Sequence, residues 1–102
     1  MKLYEWAFLV PEVRNSDRQL HPSRAWLRLQ QALEERFGGF TGPEGPWPGN
    51  EPEGEIESSY RFRVAIPKER ADDLRNLLRE LKELFDQERF YLKGPDGHVE
   101  LI

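Results

Sequence analysis

Seven acid–base or metal-ligating side chains and one tryptophan carry most of the chemistry this chain has to offer. Glu44, Glu51, Glu53, Glu55 and Glu57 punctuate the stretch GPEGPWPGNEPEGEIE, and Asp17 and His21 belong to an earlier polar segment, PEVRNSDRQLH. Carboxylate oxygens with one imidazole form a donor set for a hard or borderline cation, and a carboxylate near a histidine is the pair that proton transfer uses. The spacing specifies neither. The sequence has no HExxH, no DxDxDG loop and no paired histidines at helical spacing. Acidic residues in a Gly-Pro segment then read as solvated, and no metal or cofactor is expected. Ser58 and Ser59 lack the glycines of a nucleophile elbow, and neither GGF nor GPDG has the Lys and Ser/Thr of a phosphate loop. No residue is assigned a catalytic role. The candidate ligand-binding set is Trp47, His21, Asp17, Glu51 and Glu53.

Trp47 stands between Pro46 and Pro48. Two prolines restrict the backbone on either side of the ring, which lowers the entropic cost of presenting it to a partner. A large indole also gains most by burial, so the expected role is a plug over the open end of the core.

The elements that must position these residues follow from periodicity. LYEWAFLV, residues 3 to 10, is a strand apolar on both faces that stops at Pro11, and 11 to 21 is a polar loop. From 22 to 37, Trp26, Leu29, Leu33 and Phe37 recur at helical spacing, with Pro22 at the first turn and Gly38 as a left-handed cap. Proline lacks a ladder donor, so the next strand should be short, 39 to 43, and a long loop carrying Trp47 should follow. Ile56, Tyr60, Phe62, Val64 and Ile66 alternate with charged or polar residues, which predicts a strand with one apolar and one charged face. Leu74, Leu77, Leu78, Leu81, Leu84 and Phe85 form the apolar stripe of a second helix, 68 to 86. RFYLK, a Pro-Asp-Gly turn at 95 to 97 and HVELI close the chain as a strand and a hairpin arm.

The order β-α-β-β-α-β in 102 residues predicts one α+β domain, 1–102: a ferredoxin-like βαββαβ sandwich with two helices on one face of an antiparallel sheet and a C-terminal hairpin arm. Right-handed crossovers place the third strand between the first two and the first strand beside the fourth. The 11–21 loop, the Trp47 loop and the 86–89 turn then share one rim. A small-ligand pocket is expected between the loops 11–21 and 42–55.

Composition narrows the partners. Lys and Arg total 15 against 19 Asp and Glu, a net charge of -4, so the basic surplus of a duplex binder is missing. The outward face of residues 55 to 65 also lacks the stacking aromatics of an RNA-reading sheet. There is no cysteine, which excludes disulfides and thiolate chemistry and fits a reducing cytoplasm. The apolar N-terminal run is too short for a membrane span, so a cytoplasmic location is expected. Few lysines, one methionine and eight prolines fit a GC-rich, thermophilic source. The first strand's second apolar face, beside mixed charges, predicts a homodimer formed sheet to sheet or through the edge and terminal arm.

FGGFT at 37 to 41, a Gly-rich segment with a Trp, an alternating strand and the closing HVELI resemble a group of small bacterial and phage-associated proteins of ferredoxin-like type. The arrangement is also similar to dimeric α+β barrel proteins. These resemblances imply a fold and no activity. The function expected from the sequence is a non-catalytic homodimeric binding or structural module. The alternatives are a small enzyme using loop carboxylates and His21 and, less favoured, a nucleic-acid binder.

Overall fold

A computed structural model describes residues 1–50 and 56–102 of the chain. The elements are β1 (Tyr4–Pro11), α1 (Ser23–Phe37), β2 (Thr41–Asn50), β3 (Ile56–Ile66), a 3-10 turn (Lys68–Arg70), α2 (Ala71–Leu84), β4 (Tyr91–Lys93) and β5 (Val99–Leu101). The sheet order is β2-β3-β1-β4-β5 with every neighbouring pair antiparallel. This is the ferredoxin-like α+β sandwich, with β5 as the hairpin arm on β4.

Side-chain alternation explains the layering. Phe8 and Val10 of β1, Phe62, Val64 and Ile66 of β3 and Leu92 of β4 are buried, and they meet Ala25, Leu29 and Leu33 of α1 and Leu74, Leu77, Leu78 and Leu81 of α2 in one cluster. Phe8 stacks on Phe62 with ring centroids 5.5 Å apart. Truncating one such side chain, Leu29→Ala for example, removes about 2–5 kcal/mol of stability. Helix α1 ends where Gly38, at φ 77°, donates its N–H to the Glu34 carbonyl at 2.9 Å. The left-handed conformation there favours glycine.

The segment expected to be a loop is mostly strand. β2 runs the full length Thr41–Asn50 at the sheet edge and pairs with β3 through Thr41↔Arg63, Glu44↔Arg61 and Trp47↔Ser59. Three residues of β2 advance for every two of β3. Gly42–Pro43 therefore lies across from Phe62 alone and Gly45–Pro46 across from Tyr60 alone, as two successive bulges. An edge position and a bulge are the two places a sheet admits proline, and here they coincide. Both Gly–Pro peptide bonds are cis. Gly42 and Gly45 have φ of 127° and 111°, and a Cβ on Gly42 would lie 2.7 Å from the Arg61 carbonyl oxygen. The glycines are required by both torsion and close approach.

The rim assignment is visible in the register. Pro11 at the end of β1 opposes Ser59, the fourth residue of β3, and Glu12 N–H donates to Ser58 O at 2.8 Å. Residues 12–21 fold back on themselves through the bridge Val13↔Leu20 and the Arg14 N–H bond to Gln19 O at 2.8 Å. Asn15 N–H then donates to Asp86 O at 3.1 Å, joining this loop to the connection after α2. Among the described residues no helix is long and apolar enough to cross a membrane.

Candidate functional site

The five residues singled out from the sequence go to different places. His21 is turned into the core and only 6% exposed. Its ring sits edge-on to Phe85 at 4.9 Å and to Trp26 at 5.6 Å. Nε2 donates to the Pro11 carbonyl at 2.9 Å, so Nδ1 is the unprotonated nitrogen, and it is buried without a hydrogen-bond partner among the described residues. Burial pushes the imidazole pKa down, against the Pro11 hydrogen bond that raises it; Arg14 adds to the lowering, while Asp86 and Asp17 oppose it. His21 is neutral at pH 7 and serves as the plug that the sequence assigned to Trp47.

Asp17 is exposed near the tip of the same loop. It accepts the Gln19 N–H at 3.0 Å and lies 3.4 Å from Arg14 Nε. The loop is tied down by Asp86, whose Oδ2 accepts Ser16 N–H at 2.8 Å and Ser16 Oγ–H at 2.5 Å; these bonds hold its pKa below the usual carboxylate value. Glu51 and Glu53 lie outside the described residues, and with them the turn of the expected loop pocket.

Trp47 lies on the opposite side of the sheet from His21. It is 45% exposed, so it is no plug. The double bulge places Thr41, Glu44 and Trp47, three residues apart, on the face shared by Arg63, Arg61 and Ser59, two residues apart. The Arg61 guanidinium lies 4.9 Å from the Trp47 ring centroid. Arg61 in turn donates Nε and Nη2 to Glu44 at 3.3 Å each, while Arg63 donates Nε to Glu44 at 2.7 Å and Nη1 to Glu5 at 3.4 Å. Hydrogen bonds from Arg63 and then Arg61 hold the Glu44 pKa low. The result is a ladder, Glu5–Arg63–Glu44–Arg61, ending under an indole.

Across the sheet from Trp47, Tyr91 of β4 is 36% exposed. Between the two rings is a depression of about 290 Å³ floored by Ala7, Leu9 and Ser59, with Arg61 and Lys93 at its sides. A second hollow of about 400 Å³ continues along β1, sharing Ala7, Arg61 and Lys93 and adding Arg63 and Glu5. The sequence reading found stacking aromatics missing from the outward face of β3. The structure supplies them from the flanking strands, which no single-strand pattern reveals. The signals available were the T-x-x-E-x-x-W spacing between Gly-Pro pairs and the alternation of Tyr91 against buried Phe90 and Leu92. Among the described residues, no three His, Asp or Glu side chains are grouped so as to hold a metal ion.

No protein-family model matches the chain, and comparison with curated sequences gives no match. Among solved structures, a phage SAM lyase in complex with S-methyl-5′-thioadenosine superposes with a TM-score of 0.65 at 19% identity, over 98% of this chain and 88% of that one. At that identity the likeness shows the fold, an α+β sandwich of ferredoxin-like type, carried through nearly the whole chain.

Proposed function

We propose that the chain is a small-ligand-binding domain whose site is the uncovered face of its sheet, and that the ligand is a planar compound of nucleoside type. The observation that carries this reading is the depression between Trp47 and Tyr91, with an apolar floor and a few convergent polar groups. Two exposed rings across a hollow suit stacking on a flat base. The nucleoside bound by the phage enzyme of like fold supports the ligand class. The test is titration with S-methyl-5′-thioadenosine and adenosine, followed by tryptophan fluorescence. Saturable quenching that disappears in Trp47→Ala and weakens in Tyr91→Ala supports the reading. No response at millimolar ligand, or an unchanged response in Trp47→Ala, contradicts it.

The homodimer expected from the sequence enters as part of this proposal, through the terminal arm. β5 is a sheet edge of three residues with Val99 and Leu101 exposed, and an exposed apolar edge pairs readily with its own copy about a two-fold axis. Pairing there leaves the Trp47 hollow open. Light scattering should give twice the chain mass at micromolar concentration, reduced to one in Leu101→Lys; a monomeric wild type removes the dimer.

A second reading, that the domain is an enzyme, is favoured by one observation: the similar fold belongs to a lyase. On this reading the chain acts on SAM, and chromatography of an incubation with SAM decides it: SAM consumed by the wild type supports an enzyme, and SAM left intact contradicts it. His21 is not part of a centre on the open face, because it faces the core on the other side of the sheet from Trp47.

A further inference from the structure

Lys93 is conspicuous among the cations of the open face. Arg63 is engaged by Glu44 and Glu5, and Arg61 by Glu44. Lys93 has no carboxylate partner among the described residues, although it lines both the Trp47–Tyr91 depression and the hollow that continues from it. Its register fixes where it stands: it opposes Ala7 on β1, while Tyr91, two residues earlier on the same strand and face, opposes Leu9. Two residues along a strand span roughly 6–7 Å. That is about the reach from an aromatic base across one sugar-sized unit to its terminal substituent.

Arg61 adds to the same point. Its Nε and Nη2 are directed at Glu44, which leaves Nη1 without an acceptor among the described residues, and its guanidinium also borders both hollows. The groove therefore has an aromatic end and a cationic middle. Arg61 and Arg63 share Glu44, and Arg63 also meets Glu5, so Lys93 is the cation of the two hollows with no carboxylate partner among the described residues. An uncompensated cation beside a stacking site favours an anionic ligand over its neutral analogue.

We propose that Lys93, with the free edge of Arg61, is the anchor for an anionic substituent on the ligand, so that the compound bound is a nucleoside carrying a phosphate or carboxylate at its sugar end. This rests on the open-face reading above and sharpens it. Neutral nucleosides fill the aromatic end alone, and the anion selects among them.

The experiment compares four ligands by calorimetry at low salt: adenosine and S-methyl-5′-thioadenosine as neutral probes, adenosine 5′-monophosphate for phosphate and adenosine 5′-carboxylic acid for carboxylate. Each is run against the wild type and Lys93→Gln, with circular dichroism to confirm the fold. At least one anionic ligand should bind about tenfold or more tightly than the neutral pair, the magnitude of one charge-assisted contact. Lys93→Gln should abolish that preference, read as the ratio of anionic to neutral affinity within each protein, which falls from about tenfold or more to about one. Which anion gains identifies its source. Equal affinities for neutral and anionic ligands overturn the Lys93 anchor and leave the nucleoside site standing, as does a preference that survives Lys93→Gln. Binding of none of the four overturns both.

Discussion

His21 and Trp47 exchange the roles their settings in the sequence suggest, and the exchange has measurable consequences. A histidine held neutral in the core by burial binds its proton less readily folded than unfolded. Its contribution to stability is therefore complete above the unfolded value of about 6.5 and declines as pH falls through the lowered folded pKa. Chemical denaturation from pH 8 down to 5 should show that decline. His21→Phe, which keeps a ring against Phe85 and Trp26, should flatten it. A pH-independent wild type would contradict the buried neutral imidazole. Trp47, half exposed and held by one guanidinium, should lose only about 1–2 kcal/mol as Trp47→Ala, whereas Phe62→Ala in the core should lose about 3–5 kcal/mol. Comparable losses at the two sites would restore the plug. Glu44 belongs at this scale too: Glu44→Gln removes the charge that orients Arg61 and should weaken ligand quenching of Trp47 without changing the fold.

At the scale of elements, β2 decides what the sheet presents. Its Gly-Pro bulges convert a three-residue sequence period into a two-residue structural one, so Glu44 and Trp47 project beside Arg61 and Ser59. Gly42→Ala brings a Cβ within 2.7 Å of a carbonyl oxygen at a φ of 127°, and it should destabilise the protein by about 1–3 kcal/mol and shift Trp47 emission. Unchanged stability and emission would mean that the bulge is not held as described. The same element shows where the sequence was legible. α1, α2, β1 and β3 obey the periods of 3.6 and 2, and their order with right-handed crossovers is enough to place four strands correctly. β2 obeys neither period, because a bulge repeated every third residue cancels alternation and its prolines resemble those of a loop. Trp47 was visible as a candidate, yet its partner Tyr91 was not, since only the β1–β4 register brings it opposite. His21 was visible as a chemical group, while its burial depends on a loop folded back on Val13 and Leu20.

For the whole molecule, the sandwich separates two surfaces of different character. The helical side closes around Phe8, Phe62, Phe85 and Phe90, and the 12–21 loop with His21 seals its rim. The bare side keeps an ordered ion-pair ladder, two aromatic rings and a cation, an arrangement that burial alone does not require. The account stands on that bare side being the working surface. Its most direct test is amide NMR of the labelled protein during titration with adenosine 5′-monophosphate. The expected shifts cluster at Ala7, Leu9, Trp47, Ser59, Arg61, Tyr91 and Lys93, with the amides of Glu12 to His21 unmoved. Shifts confined to the Glu12–His21 loop, or none at saturating ligand, would contradict it.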